Sequence, residues 1–125
     1  MKQTLLFTCL ACVVGFSVLF RLGNPPLFDP DEPRYAESAR EMDERGSLLI
    51  PYFNHEPRLN KPVLYYWIIA ATYRLFGVSE FSARLGSAVA ALLLFTATFF
   101  FAQRVCGPAA AAIAGLIIGS MPLFL

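Results

Sequence analysis

Long apolar runs alternate with one dense polar stretch along this chain, and the two follow different periodicities. Residues 5–20 are uncharged and mostly apolar, residues 81–102 form a second such run with Arg84 near its start, and residues 109–125 are a third that is still apolar at Leu125. With a helical rise of about 1.5 Å per residue, each run can cross or nearly cross a hydrocarbon core about 30 Å thick. They predict transmembrane helices at 1–22, 81–103 and 108–125. The first is expected to be an uncleaved signal anchor, because no small-residue cleavage site surrounds Phe20-Arg21-Leu22. The third is expected to be cut short, which would make the chain the N-terminal part of a longer protein.

Between the first two runs the pattern changes. Residues 23–30 read as a turn-rich exit from the membrane. Residues 32–45 predict a helix, with Asp31 placed to cap it, Pro33 tolerated in its first turn and Gly46 as its stop. Tyr35, Ala39 and Met42 share one face at helical spacing, while Glu37, Arg40, Glu41 and Glu44 are expected to face elsewhere. Residues 47–60 read as irregular, interrupted by Pro51 and Pro57. A second helix is predicted from Lys61-Pro62 to Leu75, ending at Gly77. It is short for a span, and Tyr65, Tyr66 and Trp67 suit the headgroup boundary, so an interfacial helix is expected. The predicted fold class is therefore an all-α integral membrane protein, with transmembrane helices and amphipathic interfacial helices in a long first loop, residues 23–80.

Charge sets the expected orientation. All nine acidic residues and eight of the ten basic ones lie between Arg21 and Arg84. Lys2 and Arg104 flank the apolar runs without acidic neighbours, which by the positive-inside rule assigns them to the cytoplasm and loop 23–80 to the extracytoplasmic side. Apolar residues make up 57% of the chain and charged residues 15%, a balance that fits an inner or plasma membrane protein surrounded by membrane lipids. With a net charge of only +1 there is no electrostatic case for a nucleic-acid partner. Cys9, Cys12 and Cys106 do not form a disulfide framework and read as small apolar residues.

The polar segment carries a more specific signal. The runs DEPRYAESAREM, GSLLIPYFNHEPRLNKPVLYYW and VSEFSARL, spanning Asp31 to Leu85, resemble in order and spacing the first extracytoplasmic loop of the polyprenyl-phosphate-dependent glycosyltransferases. The nearest resemblance is to lipid A aminoarabinose transferases and protein O-mannosyltransferases. It implies an inverting transferase, inactive as this segment alone, that moves a sugar from a polyprenyl-phosphate donor to a lipid or protein acceptor. Asp31 matches the catalytic-cavity carboxylate of that family, and Lys61 matches the lysine placed near the donor phosphate. Such transfer needs a carboxylate that orients or deprotonates the acceptor, and a cation that offsets charge on the departing phosphate. On the residues alone, Asp31 could equally be a helix cap, and Lys61 a snorkelling lysine at the membrane surface. Glu32, Arg34, Arg58 and Tyr65 are the accompanying candidates for substrate contact.

Two further expectations follow. Aminoarabinose transferase relatives often carry Glu immediately before the Lys-Pro pair and can hold a divalent ion there. This chain has Asn60, whose neutral amide is a weaker ligand, so the residue counts against metal binding, and His55 with Glu56 reads as ordinary loop. Arg84 is expected to point to lipid headgroups, with Ser79 and Glu80 starting its helix. The rival readings are a non-catalytic membrane subunit or a lipid-carrier transporter element that uses the loop for binding.

Overall fold

The structure is a computed structural model that describes residues 2–20, 22–24, 26–27, 31–47, 49–59 and 61–120, with side chains from Leu5 onward. Its helices are α1 (Lys2–Leu19), α2 (Asp31–Glu44), α3 (Leu64–Phe76), α4 (Glu80–Cys106) and α5 (Pro108–Gly119). A two-stranded antiparallel ribbon, β1 (Tyr52–Phe53) and β2 (Glu56–Pro57), lies between α2 and α3. The chain divides into two compact units, one formed by Met1–Arg21 with Ser87–Leu125 and the other by Leu22–Gly86.

The first unit holds α1, most of α4, and α5. Phe7 of α1 meets the rings of Phe99 and Phe100 at centroid distances of 5.0 and 4.9 Å, and Phe95 and Phe99 are buried beneath it. Such edge and tilted contacts are the favoured aromatic geometry. On α5, a Cβ at Gly119 would stand 2.6 Å from Val14 Cγ2, so the α1–α5 approach depends on a small residue there. Among the described residues, α4 is the helix both long and apolar enough to cross a membrane, and the apolar parts of α1 and α5, Leu5–Leu19 and Pro108–Gly119, are shorter. Residues 121–125 of the predicted third span lie outside the described residues.

In the second unit α2 packs on α3 much as the periodicity requires. Ala36, Ala39 and Met42 meet Tyr66, Ile69, Tyr73 and Ala83 in one core cluster, with Tyr35 and Tyr65 packed against it. Gly46, with φ of 65°, closes α2 in a left-handed turn in which Gly46 N–H donates to Asp43 O and Ser47 N–H to Met42 O.

Four expectations need correction here. Residues 52–57 are a hairpin, not irregular chain: Asn54 and His55 both take positive φ, the backbone a two-residue primed turn demands. Glu41 points inward instead of to solvent, because its carboxylate accepts the His55 backbone N–H at 3.0 Å and so secures that turn. Tyr66 is a fully buried core residue, not an interfacial anchor, whereas Trp67 is exposed. The helix predicted from Lys61 starts at Leu64, since the ring of Pro62 disfavours helical backbone at Lys61.

Candidate functional site

The site assembles where α2 begins and where the segment between β2 and α3 passes beside it. Asp31 is the first residue of α2 and its side chain is half exposed. Its Oδ1 lies 3.8 Å from Arg58 Nη2 and 3.9 Å from Arg34 Nη1. These are ion pairs longer than hydrogen bonds, and they leave the carboxylate accessible. Arg34 shares a helical face with Asp31 and is itself half exposed. It also lines a second cavity of about 640 Å³ with Glu37, Arg40 and Tyr73.

Arg58 differs from Arg34 in its surroundings. Its side chain is only 13% exposed, and its guanidinium carbon lies 5.6 Å from the ring centroids of both Tyr35 and Phe53. The backbone secures it, since Arg58 N–H donates to Pro51 O at 2.7 Å. Among the described residues, Arg58 Nη1 is buried without a hydrogen-bond partner, and so is the Tyr66 hydroxyl. Burial raises the Tyr66 hydroxyl above the ordinary tyrosine range, with the charges of Arg58 and Lys61 opposing and that of Asp31 reinforcing.

Lys61 is exposed and lines a cavity of about 410 Å³ with Tyr35, Pro62, Leu64 and Tyr65. Its Nζ lies 5.9 Å from the Tyr35 centroid, at the outer limit of a cation–π contact. A hydrogen bond with the Tyr35 hydroxyl raises the ammonium above the ordinary lysine range, the charge of Asp31 adds to this, and Arg58 opposes it. Tyr65 meets Tyr35 edge-on at 5.0 Å. Arg58, Lys61 and Tyr65 are therefore brought around one side chain, Tyr35, while Asp31 stands beside Arg58 and Arg34. Tyr35 stands four positions after Asp31, a spacing that places both on one helical face.

Glu32 is placed differently. Both its oxygens are held by Arg84, with Nε to Oε1 at 2.6 Å and Nη2 to Oε2 at 3.0 Å. Arg84 also donates to Leu22 O and Pro26 O, each at 3.0 Å. This is a partly buried clamp, so Arg84 faces Glu32 and two carbonyls and not lipid headgroups. Ser79 Oγ accepts the Ser82 N–H at 3.2 Å and caps α4, as its position before Glu80 predicts. Asn60 lies outside the described residues, as does Asp29. Among the described residues no three His, Cys, Asp or Glu side chains converge as a metal site, and His55 Nδ1 lies 2.8 Å from Arg45 Nη2.

Residues 60–125 match the family described as dolichyl-phosphate-mannose-protein mannosyltransferase. The chain belongs to that family. Individual proteins are similar to the chain as well. A protein of Aquifex aeolicus is 34% identical over 97% of this chain, and the undecaprenyl phosphate-alpha-4-amino-4-deoxy-L-arabinose arabinosyl transferase of Shewanella sediminis is 43% identical over 69%. Among solved structures, ArnT from Cupriavidus metallidurans in the apo state superposes with a TM-score of 0.79 at 36% identity over 92% of the chain. The same protein bound to undecaprenyl phosphate gives 0.71 at 32% identity over 93%. The chain spans 24% of the Aquifex protein, 16% of the Shewanella enzyme and 21% of the apo ArnT chain.

For this member of the mannosyltransferase family, the sequence had pointed to Asp31 and Lys61 but had placed Tyr35 only on the apolar face of its helix and Tyr66 as a membrane anchor. The spacing of Tyr35 from Asp31 was available as a signal. Nothing local marked Tyr66, whose burial depends on α2 packing across it.

Proposed function

We propose that this chain is the N-terminal part of a membrane glycosyltransferase that takes its sugar from a polyprenyl-phosphate donor, with the Asp31–Lys61 group as part of its catalytic cavity. The observation that carries the reading is the gathering of one accessible carboxylate, two guanidiniums and one ammonium beside a cavity, in a chain similar to an arabinosyl transferase and to ArnT bound to undecaprenyl phosphate.

In that reading Lys61, with Arg34 and Arg58 behind it, offsets the charge that grows on the phosphate as the bond from the anomeric carbon to phosphate oxygen breaks. The acceptor oxygen attacks the opposite face of that carbon, so configuration inverts. Where the acceptor is a hydroxyl, Asp31 takes its proton; where it is a phosphate, the nucleophile is already anionic and Asp31 orients it. Tyr65 offers the sugar an aromatic edge at the cavity wall. The test is to incubate the full-length protein in nanodiscs with undecaprenyl phosphate-4-amino-4-deoxy-L-arabinose and to follow the lipids by mass spectrometry. Release of undecaprenyl phosphate with an acceptor is expected. Absence of both turnover and binding of undecaprenyl phosphate would remove the reading.

The orientation belongs to the same proposal, with Lys2 and Arg104 on the cytoplasmic side of the inner membrane and residues 23–80 outside. In a variant lacking Cys9, Cys12 and Cys106, a cysteine at Ser47 should react with an impermeant thiol reagent in intact cells while one at Gln103 should not. The opposite pattern would place the site on the wrong side of the bilayer for an extracytoplasmic acceptor.

Asn60 also leads to an expected result. A neutral amide binds a divalent ion more weakly than a carboxylate does, so chelation should leave transfer by the full-length protein largely intact. Complete loss on chelation, restored by a stoichiometric divalent ion, would show that other residues supply the ligands.

A further inference from the structure

Tyr35 lies against Arg58 and Lys61 and against Tyr65 and Tyr66 of α3. Its ring is half-buried, met edge-on by Tyr65 at 5.0 Å and at a tilt of 47° by Tyr66 at 5.6 Å, with Arg58 5.6 Å from its centroid. Packing of this kind restricts the ring to one orientation. Lys61 is the reverse: an exposed ammonium on a flexible stem, in the turn that precedes α3, with nothing in its own backbone to aim it. Left to itself such a side chain spreads over many rotamers.

The hydroxyl of Tyr35, on the ring whose centroid lies 5.9 Å from the Lys61 Nζ, is placed to supply that constraint. When it accepts a hydrogen bond from the Lys61 ammonium its own O–H is still available as a donor, because a phenol both accepts and donates. An O–H whose oxygen accepts from a cation is also polarised, which strengthens it as a donor. Both groups line the same 410 Å³ cavity, one turn of α2 away from Asp31.

We propose that Tyr35 is a positioning and binding residue: it holds the Lys61 ammonium at the mouth of this cavity and donates its own O–H to the phosphoryl oxygen that Lys61 neutralises. The inference rests on the phosphate-binding reading of Lys61 given above, and its test separates the two.

The experiment measures binding of undecaprenyl phosphate and of undecaprenol, the same chain without its phosphate, to the full-length protein in nanodiscs. The parent protein, Tyr35→Phe, Lys61→Ala and the double variant are compared. A parent that fails to prefer the phosphate over the alcohol would remove the phosphate-binding reading itself. Given that preference, Tyr35→Phe, which keeps the ring and its contacts, should weaken phosphate binding about tenfold and leave alcohol binding unchanged. In the Lys61→Ala background the same change should cost less than about threefold, because coupled residues are non-additive. The proposal is overturned if Tyr35→Phe leaves phosphate binding unaltered. It is equally overturned by the same loss with and without Lys61, or by a matching loss of alcohol binding, which would mark a packing effect.

Discussion

Asp31→Asn in the full-length protein is expected to lower sugar transfer by at least about a hundredfold, the usual scale for removing a positioned acid–base group. Folding should change little. Asn occupies the same volume, and at the first position of α2, which Asp31 holds instead of the cap expected from sequence, it gives up only a charge–dipole interaction of under about 1 kcal/mol. The ion pairs lost are long, at 3.8 and 3.9 Å, and Asp31 itself is half exposed, so each is expected to contribute at most about 1 kcal/mol. The measurement is transfer rate alongside thermal unfolding of the same preparation. A variant that melts like the parent but no longer transfers assigns chemistry to Asp31. A variant that transfers at the parent's rate reduces Asp31 to the start of a helix, and the catalytic reading of this site falls with it. Lys61→Ala should weaken donor binding, and Lys61→Arg should recover only part of it, because a planar guanidinium cannot place its charge where a compact ammonium does.

The largest stability effect is expected at Arg84, outside the proposed chemistry. Its guanidinium satisfies both oxygens of Glu32 and the carbonyls of Leu22 and Pro26, with a side chain only 16% exposed. Arg84→Ala leaves a partly buried carboxylate and two carbonyls without their donors, a loss on the order of 2–4 kcal/mol. Arg84→Lys keeps the charge but not the fork, so it should recover about half of that. The expected readout is a lowered unfolding midpoint in detergent, with Glu32→Gln lowered in the same direction. Because Glu32 adjoins Asp31, this clamp also sets where α2 begins and so where the Asp31 carboxylate stands. If Glu32→Gln kept the parent's unfolding midpoint but lost donor binding, Glu32 would return to the list of substrate contacts.

Those two residues mark the limits of reading this protein from its sequence. The helices were legible because their determinants are local: apolar runs of spanning length, the 35-39-42 face, the Gly46 stop and the Ser79 cap act within a few residues. Asp31 and Lys61 were legible through a resemblance whose order and spacing survive in the linear chain. Glu32 looked as available for substrate as Asp31, since adjacent acids at a helix start share the same local physics. The difference is a partner from α4, whose position beside α2 depends on packing and not on any nearby residue.

Glu41 shows the same dependence. Its helical position marks it as solvent-facing, yet it turns inward, where the His55 backbone N–H and the Arg45 guanidinium 3.9 Å away compensate its charge. Tyr35 and Tyr66 complete the picture. By sequence they are aromatics on two helices; by tertiary structure one becomes the hub of the cation cluster and the other a core residue with a buried hydroxyl. The sequence by itself determined the apolar runs and the helices, which follow from short-range periodicity and composition, and it pointed to Asp31 and Lys61 only through a resemblance. Only the tertiary packing around α2 decided which charges pair with each other and which stay accessible, because electrostatic partners are chosen by proximity in space.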